Sequence, residues 1–302
     1  LGNCKARLWG AKGLIYMPGG YFGQGHYARW IDNAILFLRF MTVGLKAVFF
    51  KKEIAVIGVG AGPIESLWLK YPIRAICRKA SIITVRDHES YEALTELGVS
   101  NVKETSDMIL AMDIASLAQP TAQTKEIKAA CKGKKLLFVH YNHSEEAKVK
   151  FAAAMKRLAE KHPQYELVVG SDCLLPFEEE WFNEFEKSVG RKCIHYRYHS
   201  PYELIELLSM ADSVLTCKLH VGVVAAMLKK SVICIAEHPE KTLRFYRQIQ
   251  EKERWISLYS ATPKGIQTLL DKFLEKQVTV PVEEIKKASM NFQELDIWIG
   301  RL

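Results

Sequence analysis

Apolar residues fall along the chain in short unbroken runs that alternate with longer stretches of helical spacing. Residues 13–18 (GLIYMP), 53–60 (EIAVIGVG) and 81–86 (SIITVR) are short and apolar, and two of them run into glycine. That is the pattern of parallel strands buried on both faces. Residues 27–50 and 64–79 read as helices, and 87–97 as a third, stopped by Gly98. A weaker strand at 101–107 ends this series. After Gln119-Pro120 and a polar, basic stretch to Lys135 the alternation resumes. Strands are predicted at 135–140, 165–172, 193–198, 213–218 and 231–236, with helices at 145–161, 200–211 and 219–228. Ser200 can cap, Pro201 fits the first helical position and Glu203 can complete a capping box. Thr262-Pro263 opens another helix by the same logic, and 282–298 forms the last. The strand–helix order predicts an α/β protein with two doubly wound, Rossmann-like domains of parallel sheet, joined near 118–134 with a cleft between them. Their expected extents are 1–125 and 126–302, the second carrying the C-terminal helices.

A length of 302 residues suits two such domains, and 49% hydrophobic with 25% charged residues excludes a disordered chain. Lys and Arg number 42 against 34 Asp and Glu, for a net charge of +8. This balance suits anionic ligands or an anionic membrane surface and falls short of the basic density of a nucleic-acid binder. No segment reaches the roughly 18 apolar residues of a membrane span. The nearest, 34–50, is broken by Arg39 and Lys46. It reads first as a buried helix of the N-terminal domain and second as a peripheral contact with anionic lipid. The opening residues LGNCKARLWG lack the apolar core of a signal peptide. Seven cysteines, Cys4 among them, are scattered without a CxxC pair, and Cys193, Cys217 and Cys234 lie in strand runs. A reducing, cytoplasmic compartment is therefore expected, extending to the inner face of the membrane if the lipid contact is real.

Ligands of parallel α/β folds bind beyond the carboxyl ends of the strands, so the residues that follow each strand are the candidates. Gly19 and Gly20 follow the first strand, and Gly58-Val59-Gly60-Ala61-Gly62-Pro63 ends the second. The alternating glycines and the proline do not make a dinucleotide fingerprint, and Arg86 stands where that fingerprint wants an acid. Arg86 can clamp a carboxylate or phosphate, and Asp87 is a natural helix cap. Thr216-Cys217-Lys218-Leu219-His220 is the sharpest spot. Lys218 ends a strand, and His220 lies in the first turn of an otherwise apolar helix, where the helix dipole collects anions. Lys241 and Arg244, after the next strand, can add cations, with Glu237 beside them. His140 and His143 permit a metal by spacing but lack a third ligand, and no metal is expected. His195 and His199 read as strand packing.

The sequence GVGAGP after a strand, VRDHESYEALTELGV, and CKLHVGVVAAMLKKSVICIA followed by a lysine, in that order, resemble the polysaccharide pyruvyl transferases. The resemblance covers roughly residues 13–260. It implies a glycosyltransferase-B-type (GT-B) fold and transfer of a pyruvyl group from phosphoenolpyruvate to sugar hydroxyls of a cell-surface polysaccharide or its lipid-linked precursor. It further implies no cofactor beyond that donor. Carried over, Arg86, Asp107, His220 and Lys241 match family positions. His220 is then the expected catalytic residue, with Lys218, Lys241, Arg244 and Arg86 on the donor. Gly19, Gly20, Gly60, Gly62, Asp107 and Glu237 are placed in the cleft loops, and Asp107 or Glu237 is a candidate acidic partner for His220. Lys218 stands where the family has arginine, and His140-Tyr141-Asn142 where it has an arginine-bearing strand end. The family's N-terminal unit with a Gly-Asp motif has no counterpart, so the N-terminal domain, assigned to the acceptor, is read as lacking its first unit. The C-terminal domain is assigned to the donor. The alternatives are a nucleotide-sugar-dependent glycosyltransferase on the same fold and a non-catalytic protein of polysaccharide biosynthesis.

Overall fold

The computed structural model describes residues 10–24, 30–141, 144–174 and 176–302. Cys4, Asn142, His143 and the expected helix start at Tyr27 lie outside them. The chain forms two compact units: residues 1–111 with 281–302, and residues 112–280.

In the first unit, β1 (Gly13–Tyr16), β2 (Glu53–Val59), β3 (Ile82–Val85) and β4 (Val102–Glu104) form a wholly parallel sheet in the order β1-β2-β3-β4. The helical run between β1 and β2 is α1 (Trp30–Leu36), a π-helical turn (Phe37–Met41) and α2 (Thr42–Phe49). Helix α3 (Leu67–Lys79) joins β2 to β3, and α4 (His88–Glu96) joins β3 to β4. Strand order that advances in one direction, with right-handed crossovers, sends every connecting helix to the same face. Alternation along β2 follows from this: Ile54 and Val56 pack with Met41, Ile73 and Ile76 of that helical layer, whereas Ala55 and Ile57 point the other way. Gly58, at φ +60°, sits in a register shift that turns Val59 back toward the helices.

The second face is covered by the C-terminal helix, Val282–Ile299, whose Phe292, Leu295 and Trp298 pack on Ala55, Ile57 and Ile82. That helix was expected in the second domain. It returns to the first because a parallel sheet cannot leave an apolar face in water. A buried polar contact fixes its register. Asn291 accepts hydrogen bonds from the Thr84 hydroxyl (2.6 Å) and the Thr105 hydroxyl (2.9 Å) and donates to the Ser106 carbonyl (2.9 Å).

The second unit begins at 112, not at 126. The polar stretch that resembles a linker contains α5 (Ala122–Ala130), capped by Thr121, whose hydroxyl also donates to Glu203 (2.6 Å). Only Thr124 and Ile127 of α5 are buried, so its apolar stripe is too thin to announce a helix. The sheet comprises β5 (Lys135–His140), β6 (Tyr165–Gly170), β7 (Ile194–Tyr196), β8 (Ser213–Thr216), β9 (Ser231–Ala236) and β10 (Trp255–Ser257). All pairs are parallel, in the order β10-β9-β8-β5-β6-β7. This is the doubly wound order, with the direction of winding reversing between β5 and β8. The connecting helices are α6 (Glu145–Lys161), α7 (Glu178–Val189), α8 (Pro201–Met210), α9 (Leu219–Met227), α10 (Pro239–Gln248) and, after β10, α11 (Pro263–Phe273). Helix α8 starts as expected, with Ser200 accepting from the Glu203 amide and Pro201 at the first turn. Among the described residues the six remaining cysteines are free thiols, and no helix is long and apolar enough to cross a membrane.

Replacing Asn291 with alanine removes the acceptor shared by two buried threonine hydroxyls and the donor to the Ser106 carbonyl. We expect Asn291→Ala to lower stability by about 2–3 kcal/mol. A urea titration followed by circular dichroism measures this, and an unchanged midpoint would show that the network does not hold the helix.

Candidate functional site

Because every strand of the second unit is parallel, all carboxyl ends emerge at one edge. The reversal point brings the ends of β6, β5 and β8 side by side. His140 closes β5 and is fully buried. Its Nδ1 lies 3.0 Å from the Thr216 hydroxyl at the end of β8, and its Nε2 lies 3.3 Å from Asp172, two residues past β6. The second carboxylate oxygen of Asp172 accepts a hydrogen bond from the Lys218 ammonium. Thr216 Oγ1 in turn accepts from the Lys218 amide (3.0 Å). Lys218 is thus fixed at both backbone and side chain. Burial raises the Asp172 pKa, but the hydrogen bonds and charges of His140 and Lys218 outweigh it and hold the carboxyl well below the usual carboxylate range.

Lys218 is the N-cap residue of α9 and makes no side-chain cap. Amides of the first turn therefore face the strand ends with the positive end of the helix dipole behind them. Val221, Gly222, Val223, Ala225 and Ala226 are buried as their composition requires. His220 is exposed at the head of the helix. With Asp172 and Tyr198 it forms the polar part of a cavity of about 180 Å³, whose apolar walls include Leu204, Leu208 and Val224.

The next strand end adds more charge. Glu237 and His238 follow β9, and Lys241 lies in the first turn of α10. The His238 pKa is lowered by burial and, against the pull of Glu237, by the ammonium groups of Lys241 and Lys218. Lys218, His238 and Lys241 therefore share one electrostatic neighbourhood. Arg244 stands one turn further along α10 and is half-buried.

The remaining expected site residues belong to the first unit. The Gly60 amide donates to the Gly19 carbonyl (2.9 Å), Gly62 donates to the Phe22 carbonyl (2.7 Å), and Gly20 is exposed. Arg86 was expected on the donor. Its side chain, only 8% exposed, lies between the carboxylates of Asp87 (3.7 Å) and Asp107 (3.8 Å). A Cβ on Gly60 would come within 2.9 Å of that guanidinium, so glycine is what lets Arg86 lie across the end of β2. Asp87 caps α4 by accepting from the Ser90 amide (2.8 Å). Asp107 thus serves Arg86. Asp172, which the sequence reading passed over, is the acid that Lys218 engages. The reading of His195 as strand packing agrees with the structure, since its ring stacks on Phe182 and pairs with Glu186, whereas His199 lies beyond β7, is exposed and pairs with Glu203.

A family model described as polysaccharide pyruvyl transferase matches residues 3–239. No curated protein matches the chain in sequence. Solved structures similar in fold include UDP-GlcNAc 2-epimerase from Methanocaldococcus jannaschii (13% identity, 85% of this chain and 74% of that one, TM-score 0.63). UDP-GlcNAc 2-epimerase from Neisseria meningitidis, solved with UDP-GlcNAc, is similar at 14% identity (84% and 72%, TM-score 0.62). The trehalose 6-phosphate synthase from Burkholderia multivorans follows at 11% (90% and 76%, TM-score 0.54). These are GT-B enzymes, and at such identities the likeness establishes the fold alone.

We expect Asp172→Asn to cost about 1–3 kcal/mol at neutral pH, since it removes the negative charge and one of the two acceptor oxygens that His140 and Lys218 use. The sign with pH follows from the lowered carboxyl. Its contribution is complete above the unfolded-state pKa of about 3.9 and disappears as pH falls through the lower folded value. Denaturant midpoints for both proteins from pH 7 to pH 3 should keep a constant gap down to about pH 4 and begin to narrow below it. A gap that closes already near pH 6 would mean that the carboxylate is not held this way.

Proposed function

The chain belongs to the polysaccharide pyruvyl transferase family, and from that premise we propose that it transfers a pyruvyl group from phosphoenolpyruvate to two hydroxyls of a saccharide. The observation that carries the reading is the ammonium of Lys218, pinned by Asp172 at the switch point, at the head of an uncapped helix. Phosphoenolpyruvate presents a phosphate and a carboxylate within a few ångströms. A site for it needs donors and cations from more than one element. The amides of α9, Lys218, His220, Lys241 and Arg244 supply them from the ends of β8 and β9. Arg86, already between two carboxylates, is left out of this set.

Forming the ketal requires two additions at one carbon. One sugar hydroxyl adds to the enol carbon bearing the phosphate while the terminal methylene gains a proton and becomes the methyl group. The carbon–oxygen bond to phosphate then breaks, a second hydroxyl takes its place, and that hydroxyl gives up its proton. Inorganic phosphate leaves. An imidazole suits both proton transfers near neutrality, and we assign them to His220. Lys218 and the α9 amides stabilise the departing phosphate. Asp172 and His140 are positioning residues, which act through Lys218. The first unit takes the acceptor, where backbone carbonyls, Asp87 and Asp107 at the strand ends suit sugar hydroxyls.

Phosphoenolpyruvate should stabilise the protein by about 2.7 kcal/mol at a hundredfold excess over its dissociation constant. His220→Ala is exposed and should melt like the wild type without ligand but lose transfer activity. Lys218→Ala should weaken donor binding by roughly 1.5–3 kcal/mol, while Lys218→Arg should retain it. Thermal melts with phosphoenolpyruvate, UDP-GlcNAc and no ligand decide the matter. Protection by the nucleotide sugar alone would favour a glycosyltransferase-like reading. An equal phosphoenolpyruvate shift in Lys218→Ala would remove that lysine from the site.

A further inference from the structure

The helical run from Trp30 to Phe49 packs one side on the sheet through Met41, Gly44 and Ala47. Among the described residues, none covers its other side. Ile31, Ile35, Leu38 and Phe49 recur at helical spacing and are 48–79% exposed. The face continues onto the start of α3, where Trp68 (72% exposed) meets the Phe37 ring at 6.2 Å and Tyr71 (66% exposed) follows one turn on. Seven-tenths exposure of several large apolar side chains on adjacent helices is unusual for a surface that faces only water. The expectation of a wholly buried helix therefore does not hold.

We propose that this face is a docking surface for an anionic lipid bilayer. Charge selects the occupant. Residues 30–79 contain eight basic residues (Arg39, Lys46, Lys51, Lys52, Lys70, Arg74, Arg78, Lys79) and three acidic ones (Asp32, Glu53, Glu65), a balance of +5 out of the chain's +8. Arg39 and Lys46 stand within the apolar stripe, Lys51 and Lys70 are exposed at its margins, and Lys52 is half-buried beside them. Apolar and aromatic side chains ringed by lysine and arginine match the boundary between acyl chains and anionic headgroups. A second copy of the chain fits less well, because pairing two such faces would bring Arg39, Lys46, Lys51 and Lys70 toward their own copies. The proposal stands on these residues alone and does not depend on the donor assigned above.

The test is co-sedimentation with phosphatidylcholine vesicles, with and without phosphatidylglycerol, at low and high salt. The wild type should bind only the anionic vesicles, more weakly at high salt. Leu38→Ser/Trp68→Ser should lower the partition coefficient roughly tenfold without changing the melting temperature. Lys51→Glu/Lys52→Glu should lose binding mainly at low salt, and it decides the question if the first variant is destabilised. Binding indifferent to phosphatidylglycerol, or retained in both variants, overturns the proposal. So does a lipid-free wild-type dimer that Leu38→Ser/Trp68→Ser converts to monomer, which would give the face to a second copy.

Discussion

A carboxylate largely withdrawn from water must be matched or it will not stay ionised, and Asp172 is such a group. Burying it costs several kcal/mol unless partners repay the lost hydration. The cluster draws on three strand ends: Asp172 lies beyond β6, and its partners are His140 from β5 and Lys218 beyond β8. Only a sheet with β5 between β6 and β8 makes these ends neighbours. Strand order, hydrogen bonding and charge thus answer to one requirement. The arrangement also orders a lysine before any ligand arrives. A free lysine would give up as much as about 2 kcal/mol of side-chain entropy on binding an anion, and the fold has already met part of that cost. In exchange, Asp172 offsets some of the lysine's charge. On the proposed reading, the α9 amides and Lys241 from the neighbouring strand end complete the attraction for a dianion.

Much of this was legible in the sequence, for identifiable reasons. Strands buried on both faces are continuous apolar runs, so β2, β5, β8 and β9 could be placed to within a residue or two. The head of α9 stood out because a lysine and a histidine interrupt an otherwise apolar element. Asp172 did not stand out, although it closes a predicted strand, because an acid after a glycine and a serine reads as a turn residue. What identifies it is strand order, which follows from three-dimensional pairing between segments tens of residues apart. The C-terminal helix was assigned to the wrong unit for the same reason. Asn291 meets Thr84 across 207 positions of sequence, and nothing local in 282–299 says which sheet it will cover.

Arg86 and Lys218 make an instructive pair, because the same rule of strand-end position selected both. In the first unit Arg86 is bracketed by Asp87 and Asp107 and packed against the bare backbone of Gly60. In the second, Lys218 meets one carboxylate and shares its surroundings with the dipole of α9 and with Lys241. Position at the carboxyl edge says only where chemistry can occur. The count of opposing charges around each cation says what sort of ligand it can take. A guanidinium between two carboxylates holds strand ends together. An ammonium with one carboxylate, beside an uncapped helix, retains capacity for an anion.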